Sequence, residues 1–228
     1  MSDGSIRAFV QARMSSQRFP GKVLAPFRGL PIIGHVIAAV TETFGDRVPL
    51  TVLTSVEPSD DPLAAHLAHL GVDVFRGPLD DVFERFRECQ RTRPSTWMLR
   101  LNADSPLLRP DVLRSVVQKP LEADCDLVTT TFPRTYPKGQ NAELIRSEVF
   151  LGVPIQELDT DDREHVTRFF YRHSSRFRIA NIASPDPSWA DVSLAIDTPE
   201  DLDRLERLSD ANLRSFGCKT SLEGRIRC

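Results

Sequence analysis

Short apolar runs alternate with amphipathic helical patterns from the start of the chain to Thr131, and no other feature of the sequence restricts its fold as much. Strands are predicted at residues 6–12, 50–54, 72–75, 97–101 and 126–131. Helices are predicted between them, starting at Pro31, Asp61, Asp80 and Pro110. Strand–helix–strand units place their strands in parallel. The alternation therefore predicts an α/β fold, a mostly parallel sheet with helices on both faces.

The alternation breaks after Thr131, where residues 135–139 carry the Pro and Gly of a turn. The pattern beyond the break predicts helices at residues 147–151 and 161–173, strands at 177–183 and 192–196, and a closing helix at 198–208. Because the alternation of strands and helices ends here, we predict that this part of the chain forms a small lid or dimerisation segment. Because the chain shows no repeat and no linker, we predict one domain over residues 1–209, followed by a tail at 210–228.

The composition argues against several classes of protein. A net charge of −3 does not suit a protein that binds nucleic acid through bulk charge. The polar start and the shortness of every apolar run predict neither a signal peptide nor a membrane-spanning segment. Cys89, Cys125, Cys218 and Cys228 form no C-x-x-C pair. This spacing predicts reduced thiols in a cytoplasmic protein, without a structural metal.

The loop after the first predicted strand, residues 11–24, concentrates positive charge. It contains Arg13, Arg18 and Lys22 together with a Pro-Gly pair. Cationic side chains and free backbone N–H groups at the carboxyl end of a strand are suited to binding a polyphosphate. The segment matches neither a Walker loop nor the G-x-G-x-x-G fingerprint. We therefore predict a phosphate-binding loop of another kind, with a solvated basic turn as the ordinary alternative.

Two carboxylates follow later predicted strands. Asp104 lies just past residues 97–101, and Asp197 follows residues 192–196. Each has an ordinary explanation, since Asp often caps a turn or starts a helix. If the fold brings them together, they form a Mg²⁺ site that substrate phosphate and water complete. A hard cation beside cationic side chains is typical of displacement at phosphorus.

Two segments after the break are candidates for holding a second substrate. Residues 136–143 lie where the alternation ends and are predicted to form a lid or an acceptor pocket. His165 is a candidate general base, and a histidine that makes structural hydrogen bonds within a helix is an equal alternative.

Six blocks of the chain, taken in order, resemble the cytidylyltransferase family that includes CMP-KDO synthetase and CMP-sialic acid synthetase. The resemblance is greatest to its SpsF-like, spore-coat polysaccharide branch. The blocks are residues 11–24, 55–62, 75–82, 100–106, 136–143 with 163–167, and 197–202. The resemblance implies a GT-A-like nucleotide-binding fold and a homodimer. It also implies Mg²⁺-dependent transfer of CMP from CTP to an acceptor oxygen of an acidic sugar, a polyol or a phosphonate, with release of pyrophosphate.

The same resemblance assigns roles to individual residues. Arg13, Lys22 and Asp104 are the expected catalytic residues, and Asp104 and Asp197 are the expected Mg²⁺ ligands. The expected substrate-binding residues are Ala12, Arg18, Thr54, Ser55, Arg76, Gly77, Arg100, Asn141, Glu143 and His165. Among them, the segments around Ala12, Thr54–Ser55 and Arg76–Gly77 are expected to surround the nucleoside, whereas Glu143 and His165 are expected on the acceptor side.

The chain departs from that branch at Gln140 and Asn141, where SpsF-like proteins usually carry Leu and Asp. The loss of an acidic residue suits a more anionic acceptor, such as a phosphonate. Two other functions stay open. The first is a GT-A-type glycosyltransferase or a transferase of another nucleotide; the glycosyltransferase is disfavoured because residues 102–104 provide only half of a D-x-D metal pair. A non-catalytic nucleotide-binding protein is disfavoured because both carboxylates and Lys22 are present.

Overall fold

The computed structural model describes residues 5–218; Cys228 and the rest of the predicted tail after residue 218 lie outside the described residues. The strands are β1 (Ile6–Gln11), β2 (Pro26–Phe27), β3 (Leu30–Pro31), β4 (Leu50–Ser55), β5 (Asp73–Gly77), β6 (Trp97–Asn102), β7 (Leu127–Thr129), β8 (Glu143–Arg146) and β9 (Ile179–Asn181). The α-helices are α1 (Ile32–Phe44), α2 (Asp61–His69), α3 (Val82–Thr92), α4 (Pro110–Glu122), α5 (Ser147–Leu151), α6 (Thr160–Glu164), α7 (Arg168–Arg172), α8 (Pro199–Glu206) and α9 (Asp210–Ser215).

Seven strands form one sheet in the order β5-β4-β1-β6-β8-β7-β9. Strand β8 runs antiparallel to both of its neighbours, β6 and β7, and every other adjacent pair in this sheet is parallel. The prediction of a mostly parallel α/β sheet is thus confirmed. The sequence pattern did not predict β8, because its first three residues are buried in succession and show no alternation.

Alternating side chains along β1 place helices on both faces of the sheet. Ala8 and Val10 belong to a buried cluster with α1, α2 and α4. Phe9, which points to the opposite face, belongs to a second cluster with α3, α5 and α7. Both faces are therefore covered by apolar helix surfaces, as expected for a sheet of parallel strands.

The predicted helix at residues 161–173 is wrong as a continuous element. The structure divides it into α6 and α7, because His165 adopts φ −107° and ψ 71° and ends the first helix. Asp162 lies fully buried below this break, where it accepts hydrogen bonds from Arg168 and Arg172. The break thus allows two cationic side chains of α7 to reach one buried carboxylate of α6.

The predicted strand at residues 192–196 is also wrong. Within residues 5–218, the segment joins no strand of the sheet, and Ser193 forms an isolated bridge with Lys138. Its alternating residues Val192, Leu194 and Ile196 belong to a third apolar cluster that includes Leu205 of α8. Alternation here reflects an extended segment packed on helices, which a period of two cannot distinguish from a strand.

Residues after the predicted domain boundary at 209 pack against the main body. Leu213 of α9 and Cys218 are buried in the third cluster, and the backbone oxygen of Phe216 accepts a hydrogen bond of 2.9 Å from Arg109. The boundary at residue 209 stays a prediction. Cys89, Cys125 and Cys218 are free and buried. No helix within residues 5–218 is long and apolar enough to cross a membrane.

Candidate active site

The carboxyl ends of β1 and β6 lie side by side and form the floor of a cavity of about 560 Å³. Gln11 pairs in register with Asn102, so the loops that follow the two strands leave the sheet at the same edge. Ligands of open parallel sheets bind at this edge, because the loops there can diverge and leave a crevice. The lining of this cavity includes eight of the candidate site residues from the sequence analysis: Ala12, Arg13, Arg18, Lys22, Arg100, Asp104, His165 and Asp197.

The basic loop is held in place by a buried carboxylate that follows β4. Asp60 is fully buried and accepts hydrogen bonds from the backbone N–H of Met14 at 2.6 Å and of Ser55 at 2.9 Å, and from the Ser55 hydroxyl at 2.5 Å. Burial by itself would raise the pKa of Asp60, but these hydrogen bonds outweigh it and lower the pKa below its usual value. Gly21 closes the loop with φ 75° and donates its N–H to the Met14 oxygen at 2.8 Å.

We expect Asp60→Asn to destabilise the protein by about 1–3 kcal/mol. The carboxylate accepts hydrogen bonds on both oxygens, whereas an amide has one oxygen and an NH₂ group, so one buried donor loses its acceptor. The adjacent Asp61 provides a matched control, because its carboxylate is exposed and pairs with Arg76 at 2.7 Å on the surface. Asp61→Asn should cost less than about 1 kcal/mol. Urea denaturation of the two variants measures both values, and equal losses would contradict the anchoring role.

Lys22 brings the two predicted metal carboxylates together. Its ammonium donates to Asp104 Oδ2 at 3.1 Å, to Asp197 Oδ1 at 3.0 Å and to the backbone oxygen of Ile196 at 2.9 Å. A backbone hydrogen bond of 2.9 Å from Ile196 N–H to the Asp104 oxygen joins the two segments directly. The side chains of Lys22 and Asp197 are each only 12% exposed. Two carboxylates distant in sequence therefore face one another across a single cation.

Asp197 has three cationic partners among the described residues of the site. Besides Lys22, it accepts a hydrogen bond of 2.5 Å from Lys138 and pairs with Arg18 at 3.3 Å. Burial would raise the pKa of Asp197, but hydrogen bonds from Lys138 and Lys22 outweigh it and lower the pKa to about 2. The carboxylate therefore stays ionised across the physiological pH range.

This lowered pKa predicts a pH-dependent contribution to stability. The contribution is complete above the unfolded value of 3.8, where both states are ionised, and it is lost as pH falls through the folded value of about 2. The full contribution is about 2 kcal/mol, and roughly half of it should be gone at pH 3.

The stability difference between wild type and Asp197→Asn should therefore shrink by about 1 kcal/mol between pH 6 and pH 3. Urea denaturation at the two pH values measures it, with the exposed Asp46→Asn as control. A difference that does not change with pH would show that Asp197 is not held ionised by its neighbours.

The pair of carboxylates fits a Mg²⁺ ion that is shared with a substrate. Asp104 and Asp197 already hold one cation between them, and the Asp104 side chain is 25% exposed toward the cavity. Among residues 5–218, no group of three His, Cys, Asp or Glu side chains could hold a metal by itself. Since Mg²⁺ is commonly bound by one or two carboxylates with phosphate oxygens and water, this donor set suits an ion that binds together with a phosphate ligand.

A second cavity of about 390 Å³ adjoins the first and shares Arg100, Asn102 and His165 with it. Asn141 and Glu143, which the sequence placed among the substrate-binding residues, line this second cavity. Glu143 is buried and accepts hydrogen bonds from Arg100 and, at 2.5 Å, from the Tyr171 hydroxyl. Burial and the Glu143 charge raise the pKa of Tyr171, so its hydroxyl stays protonated as the donor.

Four residues predicted to surround the nucleoside line neither cavity. Thr54 and Ser55 are fully buried, and the Ser55 hydroxyl donates a hydrogen bond to Asp60. Arg76 turns away toward the backbone oxygens of Ser55 and Glu57. Gly77 is buried beneath α3, and a Cβ there would meet Arg85 Cγ at 2.8 Å. Of these four positions, Gly77 packs against Arg85, which lines the first cavity.

The structure adds two cationic residues that the sequence analysis did not select. Arg85 of α3 is 1% exposed, lines the first cavity, and donates to the backbone oxygens of Pro78 and Leu79. Burial lowers its pKa to about 10. Lys138 reaches Asp197 from the turn after the break. Arg85 had a visible signal in the sequence, because it falls on the apolar face of its helix with Val82 and Cys89. Lys138 belongs to the candidate segment 136–143, but nothing in that segment indicated contact with Asp197.

A parallel sheet whose strand ends open into a cation-lined cavity with two converging carboxylates defines a nucleotide-binding α/β protein. The family model described as cytidylyltransferase matches residues 8–220. The spore coat polysaccharide biosynthesis protein SpsF of Bacillus subtilis is 32% identical, over 87% of this chain and 84% of that protein. The chain therefore belongs to the cytidylyltransferase family and is a nucleotidyltransferase.

Solved structures show the same fold. A cytidylyltransferase from Leptospira borgpetersenii superimposes with a TM-score of 0.81, at 24% identity, over 96% of this chain and 99% of that one. CMP:2-keto-3-deoxy-manno-octonic acid synthetase, solved in complex with CTP, superimposes with a TM-score of 0.63 at 17% identity, over 88% and 96% of the two chains.

Proposed function

We propose that the protein is a Mg²⁺-dependent cytidylyltransferase that transfers CMP from CTP to an acceptor oxygen and releases pyrophosphate. The observation that carries the proposal is the ammonium of Lys22 held between Asp104 and Asp197, at the cavity edge that Arg13 and Arg18 also line. Membership of the family supports CTP as the nucleotide, as does the CTP complex of the similarly folded synthetase.

In this proposal Arg13, Arg18 and Lys22 bind the triphosphate of CTP. The acceptor oxygen forms a bond to the α-phosphorus while the bond from that phosphorus to the bridging oxygen of pyrophosphate breaks. The cationic side chains stabilise the negative charge that grows on the departing pyrophosphate. His165 lines both cavities and takes the proton of an acceptor hydroxyl.

Asp104 and Asp197 are the residues that would hold Mg²⁺, as their donor set fits an ion that binds with a phosphate ligand. When bound, the ion would neutralise phosphate charge in the transition state. In its absence Lys22 lies between the two carboxylates, and Lys138 and Arg18 supply further positive charge to Asp197, so the negative charge of the pair is compensated within the protein.

The acceptor would occupy the second cavity. SpsF acts, by its name, in the biosynthesis of a spore-coat polysaccharide, and the synthetase with bound CTP is named for an acidic sugar. We therefore propose a role in activating a sugar acid, a polyol or a phosphonate, in the cytoplasm. We also propose a homodimer, with part of its interface in residues 133–150, which light scattering tests.

The test is pyrophosphate release by the purified protein with Mg²⁺ and each of the four ribonucleoside triphosphates. The acceptors are acidic sugars, polyols and hydroxy- or phosphonate-bearing acids. Release that requires CTP, Mg²⁺ and one acceptor class would support the proposal. Release with another nucleotide would favour the alternative nucleotidyltransferase. No release, together with no binding of CTP by calorimetry, would overturn the proposal.

A further inference from the structure

The side chain of Gln140 is a fully buried polar group, and both ends of its amide are hydrogen-bonded. Its Nε2 donates to the backbone oxygen of Leu107 at 2.7 Å, and its Oε1 accepts from the backbone N–H of Arg109 at 3.0 Å. A buried amide is costly unless such bonds satisfy it. With both bonds made, the amide fixes which carbonyl and which N–H it meets, whereas an apolar side chain would only fill the space between the two segments.

Leu107 and Arg109 belong to the loop that carries Asp104. This loop leaves β6 and leads to α4, and Asp104 precedes both of these contact residues. The backbone oxygen of Asp104 accepts a hydrogen bond of 2.9 Å from the N–H of Ile196. A single bond of this kind leaves the rest of the loop free to turn about it. The contacts with Gln140 hold the loop at a second place.

The turn that contains Gln140 is itself fixed to the segment that leads to Asp197. The backbone oxygen of Lys138 accepts from the N–H of Leu194 at 2.7 Å, and the Lys138 ammonium reaches Asp197. Gly139 lies so close to this segment that a Cβ there would meet the carbonyl carbon of Leu194 at 2.7 Å. The turn therefore has no room to move away from its present seat without breaking these contacts.

The turn at residues 137–140 thus joins the two segments that carry the carboxylates. One side of the turn is bonded to the extended segment before Asp197, and the other side, through Gln140, to the loop after Asp104. An ion shared by two carboxylates needs both of them in place at once. Residues that orient such ligands without touching the ion therefore affect its binding.

We infer that Gln140 is a positioning residue, which holds Asp104 in place relative to Asp197 so that the pair binds Mg²⁺ together with the nucleotide. The inference rests on the proposed function, because it takes these two carboxylates as the Mg²⁺ ligands. Gln140 lines neither of the two cavities described above and acts through the loop alone.

The test is calorimetric titration of the full chain with CTP, once with excess Mg²⁺ and once with EDTA. The ratio of the two dissociation constants measures how much the ion strengthens nucleotide binding. Gln140→Met keeps the length of the side chain and loses both hydrogen bonds, so it should reduce this ratio about tenfold. In EDTA its affinity for CTP should stay close to that of the wild type, since Arg13, Arg18 and Lys22 are unchanged.

Gln90 provides the matched control, because it is another buried glutamine with a bonded amide. It is 2% exposed, and its Nε2 donates to the Ser95 oxygen at 2.7 Å and to Ser147 Oγ at 2.9 Å, outside both cavities. Gln90→Met should lower stability as Gln140→Met does, yet leave the effect of Mg²⁺ on CTP binding unchanged. Gln140→Leu removes the same bonds with a shorter side chain and keeps the inference testable if Gln140→Met fails to fold.

A change of ion separates positioning from the loss of a ligand. Mg²⁺ demands near-octahedral geometry, whereas Ca²⁺ accepts irregular geometry. Gln140→Met should therefore weaken the effect of Mg²⁺ on CTP binding more than the effect of Ca²⁺. Asp104→Asn removes a ligand and should weaken both.

The results that would overturn the inference differ from those that would overturn the proposed function. If Mg²⁺ strengthens CTP binding equally in the wild type and in the Gln140 variants, the inference is wrong and the proposed function stands. Equal losses in Gln140→Met and Gln90→Met, or equal losses with Mg²⁺ and Ca²⁺, would reduce Gln140 to a structural role and also overturn the inference. A wild type that binds CTP no better with Mg²⁺ than with EDTA would contradict the proposed metal site itself.

Discussion

Asp104→Asn and Asp197→Asn should each reduce the turnover of CTP at least about 10³-fold while leaving the fold intact. Each substitution removes one of the two carboxylate charges that face Lys22 and that are proposed to hold Mg²⁺. The loss should appear in kcat, because the cation that the carboxylates hold matters most when charge builds on the leaving pyrophosphate. Pyrophosphate release at saturating CTP measures it.

Binding of CTP should be much less affected, since Arg13, Arg18 and Lys22 stay in the cavity in both variants. Calorimetric titration with CTP tests this part, and circular dichroism checks the fold. Asp46→Asn changes an exposed carboxylate outside the site and should leave turnover unchanged. Turnover within tenfold of wild type in both site variants would contradict the metal-binding role of the pair.

Arg100→Met should destabilise the protein by about 3–5 kcal/mol, because it leaves the carboxylate of Glu143 buried without its cation. The side chains of Arg100 and Glu143 are 10% and 4% exposed, so water cannot replace the lost partner. Arg100 also donates to Gln11 Oε1 at 2.8 Å, which ties the end of β1 to this pair. Urea denaturation at neutral pH measures the loss.

The matched control is an exposed ion pair on α4, Lys119 with Glu122, at 3.2 Å. Lys119→Met should cost less than about 1 kcal/mol. Adding Glu143→Gln to Arg100→Met should recover part of the stability, because the buried charge is then gone. If the double variant is no more stable than Arg100→Met alone, the loss comes from packing and not from an unpaired carboxylate.

The order of β1, β4, β5, β6 and β7 and of helices α1 to α4 was predictable, because the apolar residues of each element repeat with the period of a strand or a helix. The two-residue strands β2 and β3 were not predicted, because they are too short to show a period. Strands and amphipathic helices bury one face each, and the spacing of their apolar residues shows which face is buried. Strand β8 shows no such spacing, since it lies buried between β6 and β7. Residues 192–196 did alternate, but their partners are helices, and a local period does not identify the partner.

The N-terminal loop, Asp104 and Asp197 were identifiable as candidates because of where they follow apolar runs. The residues expected around the nucleoside came from the family resemblance and not from this reasoning. Thr54 and Arg76 stand near strand ends, yet their side chains point into the core or toward neighbouring loops. The direction of a side chain at a strand end depends on the loop that follows, and that loop has no period.

The class of fold follows from the sequence, because the periodicity of apolar residues is a local property of the chain. Local charge and positions after apolar runs also identified the basic loop and the two carboxylates as candidates for the site. The tertiary structure alone decided which of these groups meet. Lys22 lies between Asp104 and Asp197, and Gln140 meets Arg109, only because distant segments are packed together. Contacts between distant segments are set by the fit of whole elements, for which a single sequence carries no local signal.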